Sequence, residues 1–350
     1  MKKPVPTHRG TLASPKNRFE ATEVVRDQDY DESEEPLPRT EFLPDDSQTI
    51  IAYNDSPDLG FNASVNPYRG CEHGCVYCYA RPTHEYLGFS QGLEFETKIM
   101  VKHDAPELLR RELSARKWKP QTIAMSGVTD CYQPIERKLK LTRACLEVLA
   151  ECRNPVGIVT KNSLVTRDLD LLTRLAEHRA VAVFISLTTL NTTLRARLEP
   201  RTSPPAARLR TIRKLAEAGV PVGVMIAPVI PAINDHEIPK LIAAAADAGA
   251  RHAAFIAIRL PYANKDLFDR WLEENFPDRK EKVLNQIRSL RDGRLNSSDF
   301  GERMRGTGQI AEQIENMFKI ACRKAGMNEE KLNLSNDSFR RPRGDQLEFF

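Results

Sequence analysis

Apolar residues occur in two alternating patterns between residue 61 and about residue 276. Short runs rich in Val, Ile and Phe predict buried strands, whereas longer segments with apolar residues three or four positions apart predict helices. The predicted strands span residues 61–65, 95–102, 122–128, 156–161, 181–187, 221–230 and 252–258. The predicted helices span residues 105–117, 136–152, 166–178, 205–218 and 236–248, and two more follow at 278–292 and 308–325.

Six strand–helix units in series predict an α/β fold with a parallel sheet, because each helix returns the chain to the edge where the next strand begins. A closed barrel of this kind has eight units, and the residues after 276 carry only helical and loop patterns. We therefore expect a partial (β/α)6 TIM-type barrel with a helical C-terminal extension. An open doubly wound sheet has the same periodicity and stays as the alternative. Gly219, followed by Pro221, predicts the end of one helix and the start of the next strand.

Composition divides the chain into four segments. Residues 1–47 are rich in Pro, Glu, Asp and Ser, with few large apolar side chains, so we expect a disordered or loosely packed acidic leader. Residues 48–276 are predicted to form the barrel and residues 277–330 the helical extension. Residues 331–350 are predicted to be a flexible tail.

The net charge of +4 is unevenly distributed. Residues 1–60 hold 7 Lys and Arg against 13 Asp and Glu, and the rest of the chain holds 45 against 35. A basic body suits a polyanionic partner such as nucleic acid, although a solvated surface has the same composition. The chain has no run of eighteen apolar residues, and its first ten residues lack the apolar stretch of a secretory signal. We therefore expect a cytoplasmic protein without a membrane span.

Three cysteines, Cys71, Cys75 and Cys78, follow the spacing C-x3-C-x2-C in the loop after the first predicted strand. A closed zinc site would need His73 or His84 as a fourth ligand. An iron–sulfur cluster is bound by thiolates, normally four, so three would leave one iron open to a substrate. Polar segments also follow the other strands, among them "VTDCYQ", "TKNS" and "SLTT". Because the carboxyl ends of parallel strands meet at one face, these segments and the cysteine loop are predicted to form a single site.

Tyr77, directly before the last of these cysteines, completes the pattern C-x3-C-x-aromatic-C. With this loop at the start of a six-fold strand–helix series, the chain resembles the radical S-adenosylmethionine (SAM) superfamily over residues 61 to about 260. The resemblance implies that Cys71, Cys75 and Cys78 bind a [4Fe–4S] cluster and that SAM binds its open iron. It further implies reductive cleavage of SAM to a 5′-deoxyadenosyl radical, which abstracts hydrogen from a substrate, and an electron donor of the flavodoxin or ferredoxin type.

The same resemblance implies roles for five residues around SAM. Tyr77 matches the aromatic residue that packs on the adenine, and Lys161 and Ser186 match positions that reach the SAM carboxylate or ribose. Thr129 and Asp130 lie where many members hold the methionyl amine with Gly-Gly-Glu, a motif that this chain lacks. Strand-end hydrogen bonding for Thr129 and a helix N-cap for Asp130 therefore stay as alternatives.

The segments "CVYCY", "VTK", "LEPRT" and "GVPVGVMIAP" resemble the spore photoproduct lyase branch, also described as DNA repair photolyase-like, and a bacterial subgroup of it whose substrate is not established. Tyr79 matches a tyrosine of the lyase that takes part in hydrogen-atom transfer. Gly127 stands where the lyase has its hydrogen-donor cysteine, which argues against the same thymine-dimer chemistry. Cys131 is the nearest thiol, and we consider it either a relocated donor or a small buried core residue.

These resemblances predict a lyase-like radical SAM enzyme whose substrate is a damaged or modified nucleic acid. A radical SAM enzyme acting on a peptide or small metabolite is the first alternative. A nucleic-acid-binding protein with a structural iron–sulfur cluster is the second, although such a cluster would need a fourth thiolate.

Several polar segments lie outside this signature. Glu199, Arg201 and Thr202 are predicted to form a charged loop in which Arg201 either binds a substrate phosphate or carboxylate or is solvated or ion-paired. Asp235 in "NDHE" is predicted to be a helix N-cap, because adjacent side chains converge poorly on one metal ion. The remaining cysteines lie on predicted helices and are expected to face the core; they are Cys145, Cys152 and Cys322.

The chain ends in "QLEFF", an apolar ending on a polar tail. This segment resembles the short peptides by which bacterial repair and replication proteins bind the sliding clamp. The resemblance implies that clamp binding would involve Gln346, Leu347, Phe349 and Phe350. Folding of the tail back onto the open side of the barrel is the alternative.

Overall fold

The computed structural model describes residues 9–20 and 39–342. Within these ranges the chain forms a mixed α/β fold with ten strands. The strands are β1 (Glu41–Pro44), β2 (Ile51–Tyr53), β3 (Ala63–Val65), β4 (Tyr68–Arg69), β5 (Lys98–Val101), β6 (Ile123–Met125), β7 (Val156–Thr160), β8 (Val181–Ser186), β9 (Val222–Val229) and β10 (His252–Ala257). The α-helices are α1 (Glu94–Thr97), α2 (Ala105–Ser114), α3 (Glu136–Leu139), α4 (Leu141–Cys152), α5 (Leu169–Ala176), α6 (Thr192–Leu198), α7 (Pro205–Glu217), α8 (Ile238–Asp247), α9 (Asn264–Asn275), α10 (Lys280–Ser289) and α11 (Gly308–Lys324).

The main sheet contains seven of these strands in the order β10-β9-β8-β7-β6-β3-β2. Strands β3 and β6 to β10 run parallel, and β2 pairs antiparallel with β3. The six parallel strands are those predicted from the apolar runs, and they lie across the sheet in chain order. The parallel α/β prediction is therefore confirmed. The ladder among the described residues does not close, so the structure contains no closed barrel.

The predicted strand at residues 95–102 is only partly correct. Its first residues belong to the short helix α1, and β5 lies in a second sheet of order β1-β5-β4. Helices α6 and α9 were not predicted, and Lys140, at φ 56°, separates α3 from α4 within one predicted helix. The helix end at Gly219 is confirmed, since this residue adopts φ 75° directly after α7 and its C-cap residue.

Part of the predicted acidic leader is firmly packed. Residues 9–20, which we call the N-terminal strap, lie against the segment that follows the cysteine loop. Asn17 is buried and donates to the carbonyl oxygens of Glu85 (2.9 Å) and Phe89 (3.2 Å). Residues 41–44 form β1, which pairs in parallel with β5. Hydrogen bonds thus give parts of residues 9–20 and 39–47 defined contacts, and the packing of the leader over residues 1–47 as a whole stays a prediction.

The largest hydrophobic cluster lies between the main sheet and its helices, and α11 completes it. Phe318 of α11 packs on Phe255 of β10, with ring centroids 4.8 Å apart. Beyond α11, the side-chain amide of Asn328 pairs with the backbone of Ala253, accepting from its N–H (2.8 Å) and donating to its carbonyl (2.9 Å). The helical extension thus covers β10, the last strand of the sheet. Within residues 9–20 and 39–342, no helix is both long and apolar enough to span a bilayer.

Candidate functional site

The three clustered cysteines lie in one loop after β4, near the carboxyl ends of the parallel strands. Cys71 and Cys75 are buried, Cys78 is half-buried, and all three are free thiols. Burial raises the pKa of the Cys75 thiol, and the nearby Lys161 ammonium opposes this effect. Burial also raises the pKa of Cys78, which the Arg81 guanidinium opposes. Two of the three thiols therefore lie next to cations that favour the thiolate form, whereas burial and the Asp130 carboxylate both raise the pKa of Cys71.

Hydrophobic side chains from two helices pack against the cysteine loop. Cys75 and Tyr77 belong to a second hydrophobic cluster, together with Leu198 of α6 and Trp271 of α9. The backbone N–H of Val76 donates to the carbonyl of Leu198 (3.1 Å). The two helices that the sequence did not reveal thus support the cysteine loop directly.

Arg81 is the polar anchor of the loop. Its fully buried guanidinium donates to the carbonyl of Cys75 (2.9 and 3.1 Å) and to the carbonyl of Gly92 (2.8 Å). It also donates to Glu96 Oε1 at 2.5 Å, and the other oxygen of Glu96 accepts from the backbone N–H of Gly10 in the N-terminal strap (2.9 Å). One buried ion pair therefore joins the cysteine loop to the strap.

Asp130 connects the loop to β7. Its carboxylate accepts from Thr160 Oγ1 (2.7 Å) and from the backbone N–H of Lys161 (2.8 Å), and it lies 3.3 Å from Nδ1 of His73. These partners outweigh desolvation and lower the pKa of Asp130 to about 2. The helix N-cap alternative is not observed, since the next helix has Ile135 at its N-cap.

Thr129 makes hydrogen bonds at the end of its strand. This was the alternative role predicted for it from the sequence. Its hydroxyl donates to the carbonyl of Tyr68 (3.1 Å), and its backbone N–H donates to Asn66 Oδ1 (3.4 Å). Ser186, at the end of β8, is buried, and its carbonyl accepts from Arg208 (2.9 Å). Both residues thus lie at strand ends on the same face as the cysteine loop.

Glu199, predicted as part of a charged loop, is fully buried. Its carboxylate accepts hydrogen bonds from the hydroxyl of Tyr77, from Thr188 Oγ1 (2.6 Å) and from the guanidinium of Arg208. Although burial opposes it, the charge of Arg208 together with these hydrogen bonds lowers the pKa of Glu199 to about 2. The ammonium nitrogen of Lys161 lies 5.9 Å from the centroid of the Tyr77 ring. The structure therefore brings Tyr77 and Lys161 together beside the cysteine loop.

Comparison with known families explains this arrangement. The family model described as "Radical SAM superfamily" matches residues 65–245, which is about half of the chain. The chain belongs to the radical SAM superfamily. Members of this superfamily use a [4Fe–4S] cluster and SAM, and the matched segment includes the cysteine loop and strands β6 to β9.

The radical SAM chain also matches several curated relatives. An uncharacterized protein of Mycobacterium tuberculosis is 37% identical over 222 residues, which cover 63% of this chain and 65% of the relative. An uncharacterized protein of Methanocaldococcus jannaschii is 28% identical over 63% of this chain and 79% of its own length. The match therefore spans slightly less than two thirds of the mycobacterial protein.

Among solved structures, the radical SAM chain is similar to spore photoproduct lyase complexed with dinucleoside spore photoproduct. The TM-score is 0.59, with 18% identity over 82% of this chain and 80% of the lyase. A double mutant of the lyase with bound AdoMet and the same dinucleoside has a TM-score of 0.57 and 19% identity over the same shares of the two chains. At this identity the similarity is one of fold.

The donor set fits the cluster of the radical SAM superfamily. Three free thiols share one loop, whereas the other four cysteines belong to the main hydrophobic cluster. His73 contacts Asp130 with one ring nitrogen and Asn162 with the other (3.4 Å), so it is not available as a fourth zinc ligand. His84 is enclosed by aromatic rings, with centroids 5.2 Å from Phe89 and 5.5 Å from Phe95. Three thiolate ligands match a [4Fe–4S] cluster that keeps one iron open.

The two predicted hydrogen-transfer residues have different environments. Tyr79 is 48% exposed and donates from its hydroxyl to the carbonyl of Gly127 (2.5 Å). Cys131 is fully buried in the main hydrophobic cluster, and its burial raises the pKa of its thiol. The structure therefore favours the core interpretation of Cys131. Cys145, Cys152 and Cys322 are likewise buried, as predicted.

Other candidate residues are engaged elsewhere. Arg201 forms an ion pair with the buried Glu72 (2.9 Å), so the ion-paired alternative is confirmed. Asp235 is not a helix N-cap, because a 3-10 turn begins at this residue and Glu237 is at the N-cap of α8. In the described chain, no group of three or more His, Cys, Asp or Glu residues is arranged around a single metal ion; in a [4Fe–4S] cluster each cysteine binds a different iron, so the cysteine loop does not need that arrangement. The clamp-binding residues predicted at the chain end lie outside the described residues; they are Gln346, Leu347, Phe349 and Phe350.

Sequence reasoning missed the buried charges that support the site. Arg81, Glu96 and Arg208 were assigned no role, and Glu199 was predicted only as part of a charged loop. The position of Arg81, three residues after the last cysteine of the loop, was the one local signal. The partners of Glu199 come from β8, α7 and the cysteine loop, so no local pattern could have identified them.

Proposed function

We propose that this chain is an iron–sulfur enzyme in which Cys71, Cys75 and Cys78 hold a [4Fe–4S] cluster. When bound, the cluster and SAM would supply one-electron cleavage of SAM to methionine and a 5′-deoxyadenosyl radical, for hydrogen abstraction from the substrate. One observation carries the proposal: three free thiols on one supported loop at the carboxyl ends of the strands, in a radical SAM chain. A reductant of the flavodoxin or ferredoxin type would supply the electron.

The chain's own residues would bind and orient SAM. Tyr77 presents a ring that Glu199 holds in one orientation, which suits stacking on the adenine. Lys161, close to that ring, would pair with the SAM carboxylate. We assign Asp130, Thr129 and Ser186 to the same face, where Asp130 keeps a charged carboxylate at neutral pH.

We also propose that the main sheet curves into a partial (β/α)6 barrel. Six parallel strands in chain order, with the helical extension after them, support this architecture. The division into a barrel over residues 48–276, an extension over 277–330 and a tail over 331–350 is part of the same proposal.

The substrate that we propose is a damaged or modified nucleic acid. The fold shared with spore photoproduct lyase, whose structure contains a dinucleoside spore photoproduct, supports this class. The excess of basic residues after residue 60 supports it as well. Tyr79, exposed and one residue after Cys78, is the proposed hydrogen-transfer residue. Since Gly127 replaces the donor cysteine, we propose chemistry different from thymine-dimer reversal.

Anaerobic reconstitution tests the proposal. We expect the reconstituted chain to bind close to four iron and four sulfide ions and to release 5′-deoxyadenosine when dithionite and SAM are added. Replacing Cys75 with Ala should abolish both results, whereas the matched core variant Cys145→Ala should retain them. Stoichiometric zinc, or a cluster that forms equally well in Cys75→Ala, would exclude the proposed site. Reduced, cluster-loaded protein that releases no 5′-deoxyadenosine would exclude the enzyme.

A further inference from the structure

Arg259 lies just after β10, at the end of the sheet that carries the cysteine loop. Its guanidinium carbon is 5.5 Å from the ring centroid of Tyr79, the residue that follows Cys78. The side chain is half-buried, and its Nε atom is buried without a hydrogen-bond partner in the described part of the chain. Its polar contact through Nη1 is a long one, to the sulfur of Met304 at 3.7 Å. Few of the five N–H donors of the Arg259 guanidinium bond to protein groups in the described chain, although the group lies beside the cysteine loop.

Two further arginines, Arg291 and Arg303, lie near the guanidinium of Arg259. Arg291 is 2% exposed and donates to the carbonyls of Ile258 (2.9 Å) and Glu302 (2.8 Å), but its Nε atom is also buried without a partner among residues 9–20 and 39–342. Burial, followed by the charge of Arg259, lowers the pKa of Arg291 to about 10. Two guanidinium groups therefore lie close together in a partly desolvated region.

Two carboxylates oppose this charge from nearby, Asp58 at Arg259 and Glu302 at Arg291, but neither is ion-paired with these two arginines in the described chain. Asp58 contacts Arg303 Nε with one oxygen (2.5 Å) and accepts from the backbone N–H of Gly301 with the other (2.7 Å). Neither Arg259 nor Arg291 has an ion pair with a carboxylate within the described residues. Desolvated positive charge of this kind is unfavourable by itself and becomes favourable when an anion binds.

Aromatic rings extend from this charge across the same surface. Tyr79 is beside Arg259, Phe300 lies with its centroid 4.5 Å from the guanidinium carbon of Arg303, and both rings are about half exposed. Exposed ring faces stack on nucleobases, and arginine forks match the geometry of phosphate oxygens. Single-stranded nucleic acid offers both groups in alternation.

We infer that Arg259, supported by Arg291 and Arg303, forms a subsite for a backbone phosphate of an unpaired nucleotide strand, with Tyr79 and Phe300 flanking it. This inference rests on the proposed function, since it names a contact for the nucleic acid substrate. The subsite lies outside the cysteine loop and the residues assigned to SAM. It places the strand at the carboxyl end of β10, next to the proposed hydrogen-transfer tyrosine.

Fluorescence anisotropy of the reconstituted full chain tests the inference with a short labelled oligothymidylate. We expect Arg259→Met to weaken binding at least about tenfold, as for the loss of a charge-assisted hydrogen bond to phosphate. The slope of log affinity against log salt should fall by about one. Arg259→Lys should bind with intermediate affinity. Arg213→Met, an exposed arginine on α7, is the matched control and should bind like the unmodified chain.

Thermal unfolding separates a ligand contact from a structural role. Because Arg259 is partly desolvated without a counter-ion, Arg259→Met should melt at the same or a higher temperature than the unmodified chain. Inorganic phosphate should raise the melting temperature of the unmodified chain more than that of Arg259→Met. Unchanged oligonucleotide affinity and salt slope in Arg259→Met would overturn the inference, as would a chain that binds phosphate but no oligonucleotide. A chain that binds the oligonucleotide through Arg259 but releases no 5′-deoxyadenosine would instead refute the proposed function.

Discussion

Tyr77 and Glu199 are 122 positions apart in the chain, yet the tyrosine hydroxyl donates to the glutamate carboxylate inside the molecule. The same carboxylate is paired with Arg208, which is also buried. The orientation of the Tyr77 ring therefore depends on an ion pair that connects the C-cap of α6 to α7. A residue proposed to bind the cofactor is held by groups that need not touch the cofactor.

Loss of the Glu199 carboxylate should be more harmful than loss of the Tyr77 hydroxyl. We expect Glu199→Gln to lower the free energy of unfolding by about 3–5 kcal/mol, because it leaves the charge of Arg208 buried without a partner. Tyr77→Phe removes one hydrogen bond, and we expect a loss of about 1–2 kcal/mol. Urea denaturation at neutral pH measures both values. Equal losses for the two variants would contradict the ranking.

Arg81 should control assembly of the cysteine loop. Arg81→Met leaves Glu96 buried without its cation and the carbonyl of Cys75 without two donors. We expect a loss of about 3–5 kcal/mol in unfolding free energy and a clear reduction in bound iron after reconstitution. Arg81→Lys should recover only part of both, since an ammonium lacks the planar fork. Iron retained in full by Arg81→Met would show that the loop forms without this anchor.

The N-terminal strap should detach when Gly10 acquires a side chain. A Cβ atom built at Gly10 would lie 1.8 Å from the carbonyl oxygen of Gly74, so the backbones could not keep their present contact. We expect Gly10→Ala to speed tryptic cleavage after Arg18 by about tenfold or more, because local opening then needs less free energy. Gly60→Ala is the control, since nothing lies within 4 Å of its Cβ position. Equal cleavage rates for the two variants would show that this contact does not hold the strap.

His84 should make stability depend on pH. Burial lowers the pKa of its imidazole from 6.5 to about 4. Between these values the unfolded chain binds a proton at His84 and the folded chain does not, so stability falls as the pH drops from 6.5 towards 4. The loss should be on the order of 3 kcal/mol. We expect His84→Phe to flatten this part of the unfolding profile, whereas the exposed control His236→Phe should not change it.

The main sheet and most of its helices were predictable because each parallel strand is a short apolar run. Val181–Ser186, for example, is almost entirely buried. The small strand Glu41–Pro44 was missed, since most of its residues are exposed and its partner lies more than fifty residues away. Local pattern carries no information on such distant pairing.

The three-cysteine loop was recognisable from its spacing, but the groups that support the loop were not. Charged residues are expected at the surface, so Arg81 and Glu199 showed no sign that they would be buried. Their burial depends on partners in other elements, namely Glu96 for the arginine and Arg208 for the glutamate. The sequence also could not separate a donor role for Cys131 from a core role, because the difference lies in packing.

The side-chain amide of Asn328 makes the two hydrogen bonds with the backbone of Ala253 that a neighbouring strand would make, accepting one and donating the other. An uncovered outermost strand would present unpaired N–H and C=O groups that recruit other chains. The segment after α11 thus protects the molecule from self-association. We expect loss of this segment to lower the solubility of the protein before it changes the enzymatic reaction.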